Sequence, residues 1–298
     1  MDLLQLRSFQ AVARHEHVSR AAAELQVAQP ALSRTLARLE AELGVPLFDR
    51  RGRRLALNRF GAALLVRVDR GLGELEEARR ELHDAAGLAR GSVVVAAETL
   101  RLLTDLAARF RAEHPEVSLR FTQSPAPAMA EQVRAGEVDL CVASQPLAGG
   151  GLEAVEVLDE EALLAVPPGH RLAHRARAAP RQLVGEPFVT PRPGYWQRTL
   201  ADRLLARAGA SLTIACEGEE PAAVRGLISA GVGVGLLPAV ARRVAPEPPV
   251  AWLRLQAPDC RRTLSVVWRR DRYLSAAARA FRDFAVAYFR ERPGEAFA

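Results

Sequence analysis

Over the first 60 residues apolar side chains recur at steps of three and four. Leu3, Leu6, Phe9 and Ala13 form one helical stripe. Ala22, Ala23 and Leu25 give a shorter helix a small-residue face suited to close packing, with Ser19 placed to cap it. After a turn at Gln26 to Ala28, Pro30 stands where the first turn of a helix tolerates proline, and Leu32, Leu36, Leu39 and Leu43 make a stripe that stops at Gly44. The pattern predicts a helix, a tight turn and a longer helix. Leu47-Phe48 and Leu55-Ala56-Leu57 then flank Asp49-Arg50-Arg51-Gly52-Arg53-Arg54, which predicts a short hairpin turning on glycine. Asn58 is placed to cap a helix running to about Ala86. In it Leu65, Val68, Leu72, Leu75, Arg79, Leu82 and Ala86 alternate steps of three and four, a heptad seam interrupted at Arg79.

From Gly91 the period changes. Val93 to Ala97, Val117 to Thr122 and Val138 to Ala143 read as strands, separated by helices led by Leu103, Leu106 and Phe110 and by Met129 and Val133. A second set follows, with strands at Ala162 to Val166, Phe188 to Thr190, Leu212 to Cys216 and Val232 to Leu237, and helices at Trp196 to Arg207 and Ala222 to Ala230. Alternating strand and helix implies parallel sheet with right-handed crossovers, hence two α/β lobes over residues 91–298. Such sheets bind ligands at the carboxyl ends of their strands, so two lobes imply a cleft between them.

The 298 residues are 49% hydrophobic and 26% charged, which places the chain among globular proteins and outside the disordered class. All 41 basic residues are arginine, against 35 acids. Ten of the arginines and six of the acids fall within residues 1–60, so the positive excess is densest there. Cys141, Cys216 and Cys260 match neither a zinc spacing nor a disulfide framework, and no metal site is expected. The longest uncharged stretch, Gly226 to Ala241, is 16 residues broken by Gly and Pro, short of the roughly 20 a membrane span needs. With no signal-like N-terminus, the expectation is a cytoplasmic protein that no membrane holds.

Stepping about 100° per residue from Leu32 puts Pro30, Arg34, Ala37, Arg38 and Ala41 on the far side of the third helix, with Gln29 and Ser33 at its flank. A helix pressed into a DNA major groove needs little bulk against the bases, hydrogen-bonding groups at its N-terminal end and positive charge near phosphates. Surface arginine is more often only solvated. The neighbouring Arg50, Arg51, Arg53 and Arg54 tilt the reading, because a basic hairpin beside a helix-turn-helix makes a wing that reaches phosphates or an adjacent minor groove.

These segments resemble the LysR-type transcriptional regulators. The likeness is carried by Leu6-Arg7-Ser8-Phe9, Ser19-Arg20-Ala21-Ala22, Gln29-Pro30-Ala31-Leu32-Ser33-Arg34, Leu39-Glu40 with Glu42 through Phe48, Gly91 opening the first strand, Gly136 through Leu140, Gly231 through Pro238, and Trp268 through Arg272. It spans nearly the whole chain, and its N-terminal block is the most specific. It implies an α/β protein overall: a winged helix-turn-helix over 1–58, a dimerising linker helix and hinge over 59–90, and a two-lobed, periplasmic-binding-protein-like effector domain over 91–298. The chain would cross between lobes twice, lobe one being about 91–160 and 266–292 and lobe two about 161–265. Ser19 and Arg20 join Gln29, Pro30, Ser33, Arg34, Arg38 and the four wing arginines as the implied DNA-contacting set. The implied partners are double-stranded promoter DNA, a small-molecule effector, RNA polymerase, and further copies of the chain as a homodimer or a homotetramer built as a dimer of dimers.

Three departures stand out. Ala28 replaces a capping Ser or Thr before the third helix, Asn58 replaces Thr at the start of the linker helix, and the stretch from Val95 to Phe110 is about three residues shorter than the family pattern. The last falls where the first effector-contacting turn should lie, leaving Glu98 and Thr99 as the candidates there. Strand ends add Ser124, Ser144, Gln145, Thr190 and Tyr195, residue types equally at home in ordinary loops. Arg192 and Arg198 are placed to bind a carboxylate, whereas Glu98 is itself acidic.

No cofactor motif and no catalytic grouping is found, so an enzyme is not expected. G-x-S-x-G, H-E-x-x-H and the P-loop are missing, and Gly231-x-Gly233-x-Gly235 follows a helix rather than preceding one, which favours close backbone packing over dinucleotide binding. Two rivals remain, a solute-capture protein whose helical head contacts other proteins and an α/β enzyme with an N-terminal dimerisation pair. The arginine wing opposes the first, and the second requires a catalytic grouping that is not apparent.

Overall fold

A computed structural model describes residues 1–51, 54–85, 91–244 and 248–291, arranged as two compact units, Met1–Ala85 and Ala86–Ala298. In the first, α1 (Leu3–His15), α2 (Val18–Glu24) and α3 (Gln29–Leu43) precede the antiparallel pair β1 (Phe48–Arg51) and β2 (Arg54–Leu57), and α4 (Arg59–Ala85) follows. Asp2 and Gln5 form a capping box at the start of α1, a signal the periodicity did not include. The chain leaves α1 through Glu16 in the left-handed region (φ 47°), so α2 begins earlier than expected. His17 is its N-cap and Ser19 lies within the first turn, so the capping role read for Ser19 is corrected. Gly44 ends α3 at φ 71°, a conformation that favours glycine.

Phe9, Leu32, Leu36, Leu39 and Leu47 fill the core of this unit, closed from below by Val68 and Leu72 of α4. Glu40 of α3 fixes the hairpin by accepting from the backbone N–H of Leu47 (2.7 Å) and Phe48 (3.3 Å). Asn58 Oδ1 caps α4, accepting from the N–H of Phe60 (2.9 Å) and Gly61 (3.0 Å). The heptad seam read along α4 is divided: Val68 and Leu72 are spent inside the unit, with Leu65 half-buried against them, while Leu75 and Leu82 are 53% and 70% exposed.

The second unit begins with β3 (Ser92–Ala97) and passes through a 3-10 turn at Leu100–Leu103 into α5 (Thr104–Glu113), then β4 (Ser118–Gln123), α6 (Ala126–Ala135), β5 (Leu140–Ala143) and β6 (Leu152–Val166). Next come β7 (Arg177–Ala178), β8 (Pro187–Thr190), α7 (Trp196–Arg207), β9 (Thr213–Glu217), α8 (Pro221–Ser229), β10 (Gly235–Pro238), α9 (Ala241–Val244), β11 (Ala251–Leu255), β12 (Arg261–Arg269) and α10 (Ala276–Glu291). The sheet order is β4-β3-β5-β12-β6-β11-β7, with β10 also on β6 and β8-β9 a separate parallel pair.

Strand β6 belongs to both lobes. Residues 152–161 pair with β12 beside the parallel β3, β4 and β5, and residues 162–166 pair with β10 and β11. Only its second half, Ala162–Val166, is continuously buried; the first alternates with Glu153, Glu156 and Asp159, so the apolar pattern showed half a strand. The return crossing lies at Cys260–Arg261, ahead of the residue 266 read from the resemblance: Cys260 packs with lobe two, while Leu264 and Val266 are buried in lobe one against Phe110 and Phe281. Acid–arginine pairs line this crossing, Asp159–Arg261 at 2.9 Å, Glu161–Arg254 at 3.1 Å and the buried Glu160–Arg262. The glycine run packs backbone on backbone. Val234 forms a parallel bridge with Phe188, and a Cβ on Gly235 would stand 2.7 Å from the Val189 carbonyl oxygen.

Candidate functional site

In the first unit α3 presents the face expected of it. Gln29, Pro30, Arg34 and Arg38 are exposed, as are Ser19 and Arg20 of α2, and Ser33 is half-buried. Gln29 Nε2 donates to Ser33 Oγ at 3.2 Å, holding the two polar side chains side by side on the first turn. Ala28 occupies the N-cap without a side-chain hydrogen bond; Pro30 has no N–H and the Ala31 N–H returns to the Ala28 carbonyl at 2.9 Å, so within the first turn the N–H of Gln29 is the one turned to a ligand or solvent. Arg20, Arg34 and Arg38 form no ion pair among the described residues, whereas Arg7 on α1 is spent on Glu76 at 2.6 Å. The result is a shallow surface of small and amide side chains with uncommitted positive charge. The backbone of β1 and β2 closes the hairpin at Arg51↔Arg54 beside it. Gly52, Arg53 and the side chains of Arg50, Arg51 and Arg54 lie outside the described residues.

In the second unit the carboxyl ends of β3, β5 and β8 converge between the lobes. The short connection after β3 turns Glu98 inward until it is 3% exposed. Its Oε2 accepts from the backbone N–H of Ser144 (3.1 Å); its Oε1 accepts from Gln145 Nε2 (2.8 Å) and from the backbone N–H of Trp196 (3.2 Å), the first residue of α7. Gln145 also donates to the Gly194 carbonyl at 2.9 Å, and Ala126 N–H reaches the same oxygen at 3.0 Å. The lobes are thus closed on each other by polar contacts. Burial pushes the Glu98 carboxyl above the usual carboxylate range, against the hydrogen bonds of Gln145 and Ser144 and the nearby charge of Arg262.

The expected cleft residues divide accordingly. Glu98, Ser144 and Gln145 come together around one carboxylate, and Thr99 lines an adjoining cavity with Leu102, Trp196, Arg225 and Val240. Tyr195 turns away, donating to Glu219 at 2.9 Å. Ser124 and Thr190 are buried, and the Thr190 hydroxyl meets no hydrogen-bond partner among the described residues. The carboxylate-binding reading of Arg192 and Arg198 is corrected, because both are committed to the protein's own acids: Arg192 to Glu219, and Arg198 to Asp202 (2.9 Å) and Glu217 (3.1 Å). Arg225 and Trp196 were missed. Each sits in a helix whose pattern reads only as amphipathic, and nothing local marks which of its side chains will face the space between the lobes.

Burial pushes the Cys141 and Cys260 thiols up to about 12, the latter helped by Glu161 and Asp259, so both remain protonated at neutral pH. Among the described residues no group of His, Cys, Asp or Glu is placed to hold a metal ion, and no helix is long and apolar enough to cross a membrane.

Two family models match the chain: the bacterial regulatory helix-turn-helix protein of the lysR family over residues 3–62, and the LysR substrate binding domain over residues 86–290. The chain belongs to the LysR family of transcriptional regulators. This LysR-family regulator is 33% identical to the uncharacterized HTH-type transcriptional regulator YybE of Bacillus subtilis, covering 98% of this chain and 100% of that one. It is 31% identical to the transcriptional dual regulator GltC of the same organism, covering 97% and 98%. Among solved structures it shares its fold with a full-length OxyR variant from Pseudomonas aeruginosa (TM-score 0.69, 23% identity, 95% of this chain and 94% of that one). The LysR family regulator CbnR, also solved in complex with its target DNA, gives a TM-score of 0.66 at 24% identity over 97% of this chain and 100% of that one in the complex. The LysR-family chain is therefore a DNA-binding transcriptional regulator carrying a substrate-binding domain, and its relatives are regulators rather than enzymes.

Proposed function

We propose that this regulator reads an operator in promoter DNA as a homodimer or homotetramer, and that a small molecule held between its two lobes changes that binding or the contact with RNA polymerase. The exposed face of α3 carries the reading. Gln29, Pro30, Ser33 and Arg34 meet base edges or nearby phosphates, Ser19 and Arg20 flank them, and Arg38 with Arg50, Arg51, Arg53 and Arg54 holds the backbone. Two such heads on one dimer match half-sites about one helical turn apart or a multiple of it. In the second unit, Glu98, Thr99, Ser124, Ser144, Gln145 and Thr190 border the effector cleft, and Tyr195, turned to Glu219, leaves it. A ligand there acts as an effector when it favours one arrangement of the lobes over another.

The test is fluorescence anisotropy on the promoter region beside the protein's own gene, across a salt series with random DNA as competitor. Tight, site-selective binding that weakens steeply with salt is the expected result. Equal, weak binding to both DNAs would overturn the assignment of α3.

A further inference from the structure

Glu40 stands in the last turn of α3, where two things oppose a carboxylate. The carbonyl end of a helix favours cations, and an acid on an arginine-rich, DNA-facing head repels phosphates. What engages it is a pair of contacts made outside the helix. Its Oε1 accepts from the backbone N–H of Leu47 at 2.7 Å and of Phe48 at 3.3 Å, at the entry to the hairpin. Among the described residues no other side chain of α3 hydrogen-bonds the hairpin.

The remaining ties of the hairpin run elsewhere. The Leu55 N–H donates at 3.2 Å to the carbonyl of Glu16, the left-handed residue between α1 and α2. Asn58, at the head of α4, donates from Nδ2 to the Pro46 carbonyl at 2.8 Å and from its backbone to the Leu47 carbonyl at 3.0 Å. Leu47 and Phe48 are buried, with the Phe48 ring centre 5.6 Å from that of Phe9. The base of the hairpin is therefore anchored in the core without Glu40, and what the carboxylate adds is a fixed bearing on α3. Its place on the helix makes that bearing matter. Glu40 follows Gln29 by eleven residues, about three turns, so the two share one flank with Ser33 and lie about 16 Å apart along the axis. The flank that holds the Gln29–Ser33 pair at its N-terminal end holds the hairpin at the other.

We propose that Glu40 is a positioning residue for operator binding: it locks the hairpin to α3, so that the wing arginines meet phosphates in register with the bases that α3 reads. The proposal rests on the reading of α3 and the hairpin as the DNA interface, and names what fixes the spacing between their two sets of contacts. Two N–H groups held by one oxygen restrict the swing of the hairpin, and a wing already in place loses less freedom on meeting the DNA backbone. Charge and geometry here predict opposite results. Removing an acid from a DNA-binding head tightens binding by charge alone, whereas loss of the lock weakens it.

The full-length protein is titrated onto the promoter fragment and onto random DNA across a salt series, with thermal melts to establish that each variant folds. Glu40→Ala should bind the promoter at least about tenfold more weakly, with the salt slope lower by about 1 for each wing phosphate lost and the base-pair preference of α3 unchanged. Glu40→Gln keeps an oxygen that accepts from both N–H groups and should bind at least as tightly as wild type. Glu40→Asp keeps the charge but falls a methylene short of the pair, and replaces the alanine variant if that one does not fold. In a double-mutant cycle, Arg50→Ala with Arg53→Ala should remove most of the effect of Glu40→Ala, since a loosened wing without its arginines has little left to lose. Tighter binding by Glu40→Ala, an unchanged salt slope, equally weak binding by Glu40→Gln, or losses that simply add to those of the arginine variant would each overturn the proposal. Selective wild-type binding that Glu40→Ala leaves untouched sinks this proposal alone. Wild-type binding that does not distinguish promoter from random DNA sinks the operator reading, and the proposal with it.

Discussion

The Glu98 carboxylate of lobe one accepts a hydrogen bond at 3.2 Å from the backbone N–H of Trp196, the first residue of a lobe-two helix. One acidic side chain therefore occupies the position at a helix N-terminus where a bound anion would be favoured. Because burial raises the Glu98 pKa, the folded protein keeps this proton at a pH where the unfolded chain has released it. The associated stability is full below the ordinary carboxylate value and is lost as pH rises through the raised one. Urea unfolding of the second unit followed across this range should show that decline, and Glu98→Gln should flatten it. An unchanged slope in the variant would assign the effect to another group.

Arg34→Ala should weaken binding to the cognate operator by about 1–3 kcal/mol and relax selectivity at the base pairs it faces. Arg38→Ala should instead weaken binding to all sequences and lower the salt slope by about 1. Arg181→Ala, an exposed arginine of the second unit, serves as control and should do neither. Anisotropy titrations read all three, and equal losses for Arg34 and Arg181 would count against the assigned face.

Ala28 stands at the N-cap of α3 with extended backbone angles (φ −69°, ψ 133°) that suit a capping side chain. Ala28→Ser should stabilise the first unit by about 0.5–2 kcal/mol, seen as a higher denaturation midpoint at constant slope. No gain would mean that the capping geometry is not reached in solution.

The divided seam of α4 separates assembly from folding. Leu75→Glu with Leu82→Glu alters only exposed positions and should lower the mass measured by sedimentation while leaving helix content intact. Leu72→Glu places a charge in the packed core and should unfold the first unit. If the double variant keeps the wild-type mass, the seam is not the assembly surface.

The helix-turn-helix was legible because every signal in it is local. The stripe Leu32-Leu36-Leu39, the proline at the start of α3 and the glycine at its end act within one or two turns, and the same arithmetic that buries the leucines exposes Arg34 and Arg38. The parallel strands β3, β4 and β5 were legible for the same reason, as short apolar runs alternating with helices. Sequence by itself also set the family, since its motifs are runs of adjacent residues.

Tertiary structure decided what depends on residues far apart in the chain. Strand β6 was half visible because its first half alternates with acids, of which Asp159 finds its arginine partner, Arg261, on β12, a hundred residues on. Which half of the α4 seam stays open depends on the α1–α3 core that covers Val68 and Leu72. That Glu98 serves the protein's own helix is an outcome of lobe closure, whereas Arg192 and Arg198 are spent on acids of their own lobe, and Arg225 meets the carbonyls of Pro248 and Ala241 and the Trp252 ring there. Charge pairing and burial are properties of the assembled surface, and no local pattern carries them.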